Sequence, residues 1–125
     1  MSEKKVKLPD SELEVMQVLW ALPAPAPRAK VEEAMEKVRP MAQTTLLTLL
    51  SRLADKGFLK IEKEGRRRVY VPLADRGEYQ AQQSRSFVDK VFGGSISAFA
   101  SALCDSGLTR EEIDELRRLL ERDEL

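Results

Sequence analysis

From Gln43 to Lys56 leucines recur at positions 46, 49, 50 and 53, and directly after Gly57 the apolar spacing changes from helical to alternating. The first pattern is i, i+3, i+4, i+7, which puts all four leucines on one face of a helix. Phe58-Leu59-Lys60-Ile61-Glu62 then alternates, and Arg68-Val69-Tyr70-Val71-Pro72 is rich in β-branched and aromatic side chains. Lys63-Glu64-Gly65-Arg66-Arg67 separates the two runs. The segment therefore reads as a helix, a Gly57 cap and a β-hairpin with a basic tip. Pro72 has no N–H to give a ladder, which restricts the end of the second strand to an edge position.

The opposite face of the leucine helix carries Thr44, Thr45, Thr48, Ser51, Arg52 and Asp55. This is not the Glu/Lys set that usually solubilises a helix. Short hydroxyl side chains let a helix approach another surface closely, and Arg52 adds a guanidinium toward the end of that face.

Two helical patterns precede it. Within Ser11–Trp20 the residues Leu13, Met16, Leu19 and Trp20 share a face, and Asp10 or Ser11 can cap the start, Ser11 with Glu14 in capping-box spacing. Pro23, Pro25 and Pro27 forbid helix and make a stiff connector. A second helix is expected over 28–38, with Val31, Ala34, Met35 and Val38 inward and Glu32, Glu33, Glu36 and Lys37 outward, ending at Arg39-Pro40-Met41. Helix, helix, helix and hairpin in that order predict a mainly α chain with a winged helix-turn-helix domain over 1–74. Residues 1–7 read as a polar, basic, mobile tail.

Helices then return. Asp75 can cap one running to about Phe92, Gly93-Gly94 breaks it, Ser95 or Ser97 opens a short helix, and Thr109-Arg110-Glu111-Glu112 is a capping box. Three short amphipathic helices without a sheet cannot close a large core in one copy. Residues 75–125 are thus expected to form a helical dimerisation domain. Its interface residues would be Phe87, Val91, Phe92, Ile96, Phe99, Leu103, Ile113, Leu116 and Leu120.

Charge supports a division of labour. Lys+Arg and Asp+Glu both total 21, so net charge is zero. Yet residues 1–76 hold 15 basic and 11 acidic side chains, while 77–125 hold 6 and 10. A basic part joined to an acidic part points to a nucleic-acid face on the first alone. The chain has no His and one Cys, which excludes His-based acid–base chemistry, a zinc cluster and an internal disulfide. No nucleophile–base pair, phosphate loop or metal set is present, so neither catalysis nor a cofactor is expected. Apolar runs fall short of the ~18 residues a bilayer requires, and the start lacks a signal-peptide core, which predicts a cytoplasmic protein without membrane insertion.

These readings converge on duplex DNA. Gln43, Thr44, Thr45, Leu47, Thr48 and Arg52 are the candidate contacts from the leucine helix, the first turns entering the major groove. Leu47, at the border of the polar face, either packs on a thymine methyl or widens the core stripe. Arg66, Arg67 and Arg68, with Lys60 and Lys63 nearby, would let the hairpin straddle the backbone. The rival reading is a protein-interaction module whose basic wing binds an acidic partner protein. Trp20 and Cys104 are expected in the core, and Glu111 and Glu112 face the positive end of a helix dipole.

Several segments resemble one family. Leu13-Glu14-Val15-Met16-Gln17-Val18-Leu19-Trp20 is similar to the first-helix signature of the penicillinase and methicillin-resistance repressors and their copper-responsive relatives. Thr45, Thr48 and Ser51-Arg52-Leu53, then Lys56-Gly57-Phe58-Leu59, resemble that family's recognition helix and entry to the wing. Phe87-Val88-Asp89-Lys90-Val91-Phe92-Gly93-Gly94 and Leu108-Thr109-Arg110-Glu111-Glu112-Ile113-Asp114-Glu115-Leu116 resemble its dimerisation domain. The match runs from about Leu8 to Arg122. It implies a homodimeric repressor that binds a palindromic operator, with helix contacts at Thr45, Thr48 and Arg52. This chain departs from the family in places. Thr44 and Leu47 stand where methicillin-type members have Lys and Arg. Ser101-Ala102 aligns with the Asn-Phe bond cut in antibiotic-responsive members, and Cys104 stands alone where copper-type members carry paired cysteines. Neither inducer class transfers, which leaves the inducer or protease that would release DNA unidentified.

Overall fold

The computed structural model describes residues 6–122. Its elements are α1 (Asp10–Ala21), β1 (Ala26–Pro27), α2 (Arg28–Val38), α3 (Gln43–Asp55), β2 (Leu59–Glu64), β3 (Arg67–Pro72), α4 (Arg76–Phe92), α5 (Ile96–Asp105) and α6 (Arg110–Leu120). Of the tail expected over 1–7, residues 1–5 lie outside the described residues, as do 123–125 at the other end. Two compact units divide the chain, Met1–Gln83 and Ser84–Leu125.

In the first unit α3 buries Leu46, Leu49, Leu50 and Leu53, the four leucines that the spacing puts on one face. They meet Val15, Met16 and Leu19 of α1 and Val31 and Met35 of α2 in one core. Each such side chain contributes about 1.5–3 kcal/mol by leaving water. Gly57, at φ 81°, ends α3 in a Schellman motif. The Phe58 N–H reaches the Leu53 carbonyl at 2.9 Å and the Gly57 N–H the Ala54 carbonyl at 3.0 Å. That turn drops Phe58 into the core and starts β2 at once, so α3 and the hairpin are joined without slack.

β2 and β3 pair antiparallel from Leu59↔Pro72 to Glu64↔Arg67, leaving a two-residue turn, Gly65-Arg66. Gly65 takes φ 67° and no other residue type has positive φ among the described residues, which is the φ pattern of a type II′ hairpin turn. The sheet order is β1-β3-β2. Here the structure corrects the sequence reading of a plain proline connector: Ala26 and Pro27 form a short strand opposite Tyr70 and Val69. β3 is thereby central at Val69 and Tyr70, while its two ends, Arg67-Arg68 and Val71-Pro72, lie beyond the reach of β1 and retain edge character.

α1 also differs from expectation. Its buried face comprises Glu12, Val15, Met16, Val18 and Leu19, while Leu13 and Trp20 are half-buried. Glu12 is tolerated there because Lys56 Nζ lies 2.5 Å from its Oε1. Trp20 packs on the core edge, its indole N–H donating to the Ala74 carbonyl at 2.9 Å. Neither Asp10 nor Ser11 caps the helix, which begins at Asp10, two residues earlier than a Ser11 cap requires. Pro9 is the N-cap, and its carbonyl accepts from the Leu13 N–H. Val38, expected inward, is 59% exposed because α2 ends on it and the chain leaves through extended Arg39.

The start of α4 belongs to this unit. Asp75 caps it through the Glu78 N–H at 3.0 Å. Tyr79 packs edge-on against Phe58 and accepts a hydrogen bond from the Leu8 N–H at 2.9 Å. The compact unit therefore extends past Ala74, the end assigned from sequence.

In the second unit Gly93 and Gly94, both at positive φ, end α4. Ser95 caps α5 through the Ala98 N–H, and Thr109 and Glu112 form the expected capping box on α6. Neither α5 nor α6 has a buried residue. Cys104 is exposed, not in the core as the sequence leads one to expect, and it sits on a helix, α5, with no buried residue.

Candidate nucleic-acid interface

The leucine spine fixes the rotation of α3, and what it turns outward is a strip of hydrogen-bonding side chains. Gln43, Thr44, Thr45, Thr48, Ser51 and Arg52 are all exposed. Leu47, the border residue, is half-buried and packs against the core, so it widens the apolar stripe and keeps one edge open. Thr48 Oγ1 donates to the Thr44 carbonyl at 2.9 Å. Its proton is used inside the helix, while its oxygen can still accept.

The two ends of α3 have opposite character. At the N-terminus Ala42 is the N-cap and offers no side-chain hydrogen bond. The first-turn N–H groups thus keep their partial positive charge for an external anion. α2 begins the same way, after Pro27. By contrast α4, α5 and α6 are capped by Asp75, Ser95 and Thr109. At the C-terminus Arg52 lies in the last turn, where a cation suits the dipole.

On the wing the three arginines are not equivalent. Arg67 is held by Glu64 across the turn, 2.9 Å from Nη2 to Oε1. Arg66, at the turn, and Arg68 have no ion-pair partner among the described residues. Arg68 stands directly opposite Lys63 in the ladder. Like charges placed opposite one another destabilise a hairpin by a few tenths of a kcal/mol to about 1 kcal/mol unless an anion answers them. Lys60, further down, is paired with Glu62 at 3.5 Å.

A cleft of about 490 Å³ joins wing and helices, lined by Pro27, Arg28, Ala29, Glu32, Arg66, Arg67 and Arg68. Arg28 and Glu32 are site residues that sequence reasoning missed. Arg28 Nε is 3.0 Å from Glu32 Oε1, and Gln43 Nε2 donates to Glu32 Oε2 at 3.3 Å. Position 32 was legible as an outward helix residue, but its reach to the start of α3 depends on the α2–α3 crossing, which spacing alone does not supply. Arg39, in the turn between those helices, donates from Nε to Glu14 at 2.6 Å, and this bond raises its pKa. Its charge is answered within the fold.

The second unit presents a different surface. Phe87, Val91, Ile96, Leu116 and Leu120 are exposed, and Phe92, Phe99, Leu103 and Ile113 are half-buried. Phe87, Phe92 and Phe99 form an edge-to-face cluster with ring centroids 5.6–6.4 Å apart. Among the described residues no single helix is long and apolar enough to cross a membrane.

Comparison with known proteins bears on both surfaces. The sequence model of a family described as penicillinase repressor matches residues 8–122. The penicillinase repressor of Bacillus licheniformis is 35% identical over 94% of this chain and 93% of its own length. A methicillin resistance regulatory protein, MecI, of Mammaliicoccus sciuri is 27% identical over 98% and 99%. Among solved structures, the DNA-binding domain of the repressor BlaI superposes with a TM-score of 0.53 at 35% identity, covering 63% of this chain and 94% of that one. The Bacillus licheniformis BlaI monomeric form in complex with the blaP half-operator gives 0.52 at 37%, covering 61% and 92%.

Proposed function

Because this chain belongs to the penicillinase repressor family, we propose that it is a DNA-binding transcriptional repressor, without catalytic activity, that acts as a homodimer on a palindromic operator. The observation that carries the reading is the exposed strip of α3, with no side-chain cap at its N-terminus, together with a wing whose Arg66 and Arg68 have no ion-pair partner among the described residues. A relative 37% identical to this chain was solved in complex with its half-operator, which supports a duplex as the partner. The first turns of α3 enter the major groove, where Gln43, Thr44, Thr45 and Thr48 meet base edges and Leu47 offers an apolar edge. Arg52 takes a guanine edge or a phosphate at the far end. The wing arginines lie along the backbone and contribute sequence-independent, salt-sensitive affinity.

Dimerisation follows from the second unit. Exposed Phe87, Val91, Ile96, Leu116 and Leu120, with Phe92, Phe99, Leu103 and Ile113 behind them, leave α5 and α6 without a buried residue in one chain. A second copy supplies the missing layer. Linking two heads raises apparent affinity through effective concentration. It also sets half-sites about one DNA turn, ~10 bp, or a multiple of that apart. Such a dimer blocks transcription by occupying the operator, in the cytoplasm where that DNA lies.

The test is selection of bound duplexes from genomic fragments with the purified chain, followed by gel shifts and sedimentation. The reading expects an enriched inverted repeat bound by two copies. Enrichment of no duplex, with capture of acidic proteins instead, overturns it in favour of a protein-interaction module.

A further inference from the structure

Gln43 opens α3, where a side chain first reaches into a groove, and its amide does not stand alone. One N–H is given to Glu32 Oε2 at 3.3 Å. The other carboxylate oxygen, Oε1, is shielded from solvent and lies 3.0 Å from Arg28 Nε, an ionic neighbour that is not aligned as a hydrogen-bond donor. The three residues thus form a chain from the start of α2 to the start of α3, and two of them, Arg28 and Glu32, line the cleft that holds Arg66, Arg67 and Arg68.

An ionised carboxylate only accepts hydrogen bonds, whereas a glutamine amide can present either its oxygen or its nitrogen. Facing Glu32, Gln43 must turn its nitrogen inward. Its Oε1 and its second N–H then stay available together, which is the acceptor–donor pair that a glutamine uses on an adenine edge. Without Glu32 the amide can flip, and the donor and acceptor exchange places.

We propose that Glu32 is a positioning residue that fixes the orientation of the Gln43 amide and so sets the base preference at the one base pair Gln43 reaches. The inference rests on the reading of α3 as the DNA-contacting helix, and it deepens that reading. Glu32 also carries a negative charge among the wing arginines, so removing it has a second, separable effect: affinity for every duplex rises together, with no positional signature.

The experiment uses the full chain and the tightest-binding duplex selected from a random pool. Each base pair is substituted in turn, and the variants Glu32→Gln, Glu32→Ala, Gln43→Ala and Glu32→Gln/Gln43→Ala are compared. Glu32→Gln keeps the shape of the side chain but is no longer acceptor-only. The expected result is that discrimination falls by about fivefold or more at one base pair in both Glu32 variants, the scale of one lost bidentate contact. Gln43→Ala loses it at the same base pair, and the double variant loses no more than Gln43→Ala. Thermal melting of each variant separates this from a folding defect, which would lower binding at all base pairs alike. Undiminished discrimination in Glu32→Gln, a uniform loss across all base pairs, or no effect of Gln43→Ala anywhere overturns the inference while leaving the DNA-contacting helix in place. If the pool enriches no duplex, the reading beneath it falls as well.

Discussion

Neutralising Arg66 and Arg68 together as Gln removes the two wing arginines that have no ion-pair partner among the described residues, while Arg67 remains tied to Glu64. Each phosphate contact contributes about 0.9 to the slope of log K against log salt on B-DNA. The double variant is therefore expected to flatten that slope by about 1.8 per half-site. Between 50 and 200 mM salt this changes the relative affinity by roughly tenfold. Arg67→Gln alone is expected to change the slope by less than about 0.5, because an exposed guanidinium engaged by a carboxylate releases few counterions on binding. The assay is fluorescence anisotropy of the full chain on a half-site duplex and on an unrelated duplex at five or more salt concentrations. Both duplexes should lose slope equally, since the wing reads no bases. An unchanged slope in the double variant removes the wing from the interface. A loss in Arg67→Gln as large as that from Arg66 or Arg68 shows that Glu64 does not hold Arg67 in solution.

Four further outcomes follow from named contacts. Arg52→Ala should weaken binding to the selected duplex by roughly 1–3 kcal/mol if it reads a base, with a smaller, sequence-blind loss if it meets a phosphate. Gel shifts on matched and unmatched duplexes separate the two. Lys56→Ala leaves Glu12, 3% exposed, with its charge unanswered. It should lower unfolding free energy by several kcal/mol, about 3–5 being the range for a broken buried pair, whereas Glu12→Met/Lys56→Ala should recover part of the loss. Burial raises the Tyr70 pKa above 10.0, against an opposing effect of Arg68. Its stabilising contribution is complete below pH 10.0 and is lost as pH rises through the folded-state value, so Tyr70→Phe should flatten the alkaline fall in chemical-denaturation midpoint. Phe87→Asp/Val91→Asp should shift the chain to monomer in sedimentation and weaken binding to a two-half-site duplex far more than to a half-site.

What could be read from sequence was what local spacing controls. The leucines of α3, the Gly57 cap, the Gly93-Gly94 break and the Thr109 capping box each depend on residues within one or two turns. The structure places them where the pattern does. What could not be read depends on contacts distant in the chain. Ala26-Pro27 becomes a strand only because Val69 and Tyr70 arrive beside it. Glu12 turns inward only because Lys56, at the far end of α3, meets it. Cys104 reads as core because it lies next to Leu103 on an apolar face, but an amphipathic helix is buried only where a second layer packs on that face, and α5 has no buried residue. Of the candidate site, the exposed strip and the wing were legible from periodicity. The pairing of Arg67, and the Arg28–Glu32–Gln43 chain, required the strand register and the helix crossing.

The central claim is that one face of this chain, α3 with the wing, contacts duplex DNA. Titration of a selected half-site duplex into isotopically labelled protein, followed by backbone amide shifts, tests it most directly. The account expects the largest changes at residues 43–52 and 65–68, with α5 and α6 unmoved. Changes centred on α5 and α6, or spread evenly over the surface while Thr45, Thr48 and Arg52 stay still, would contradict it.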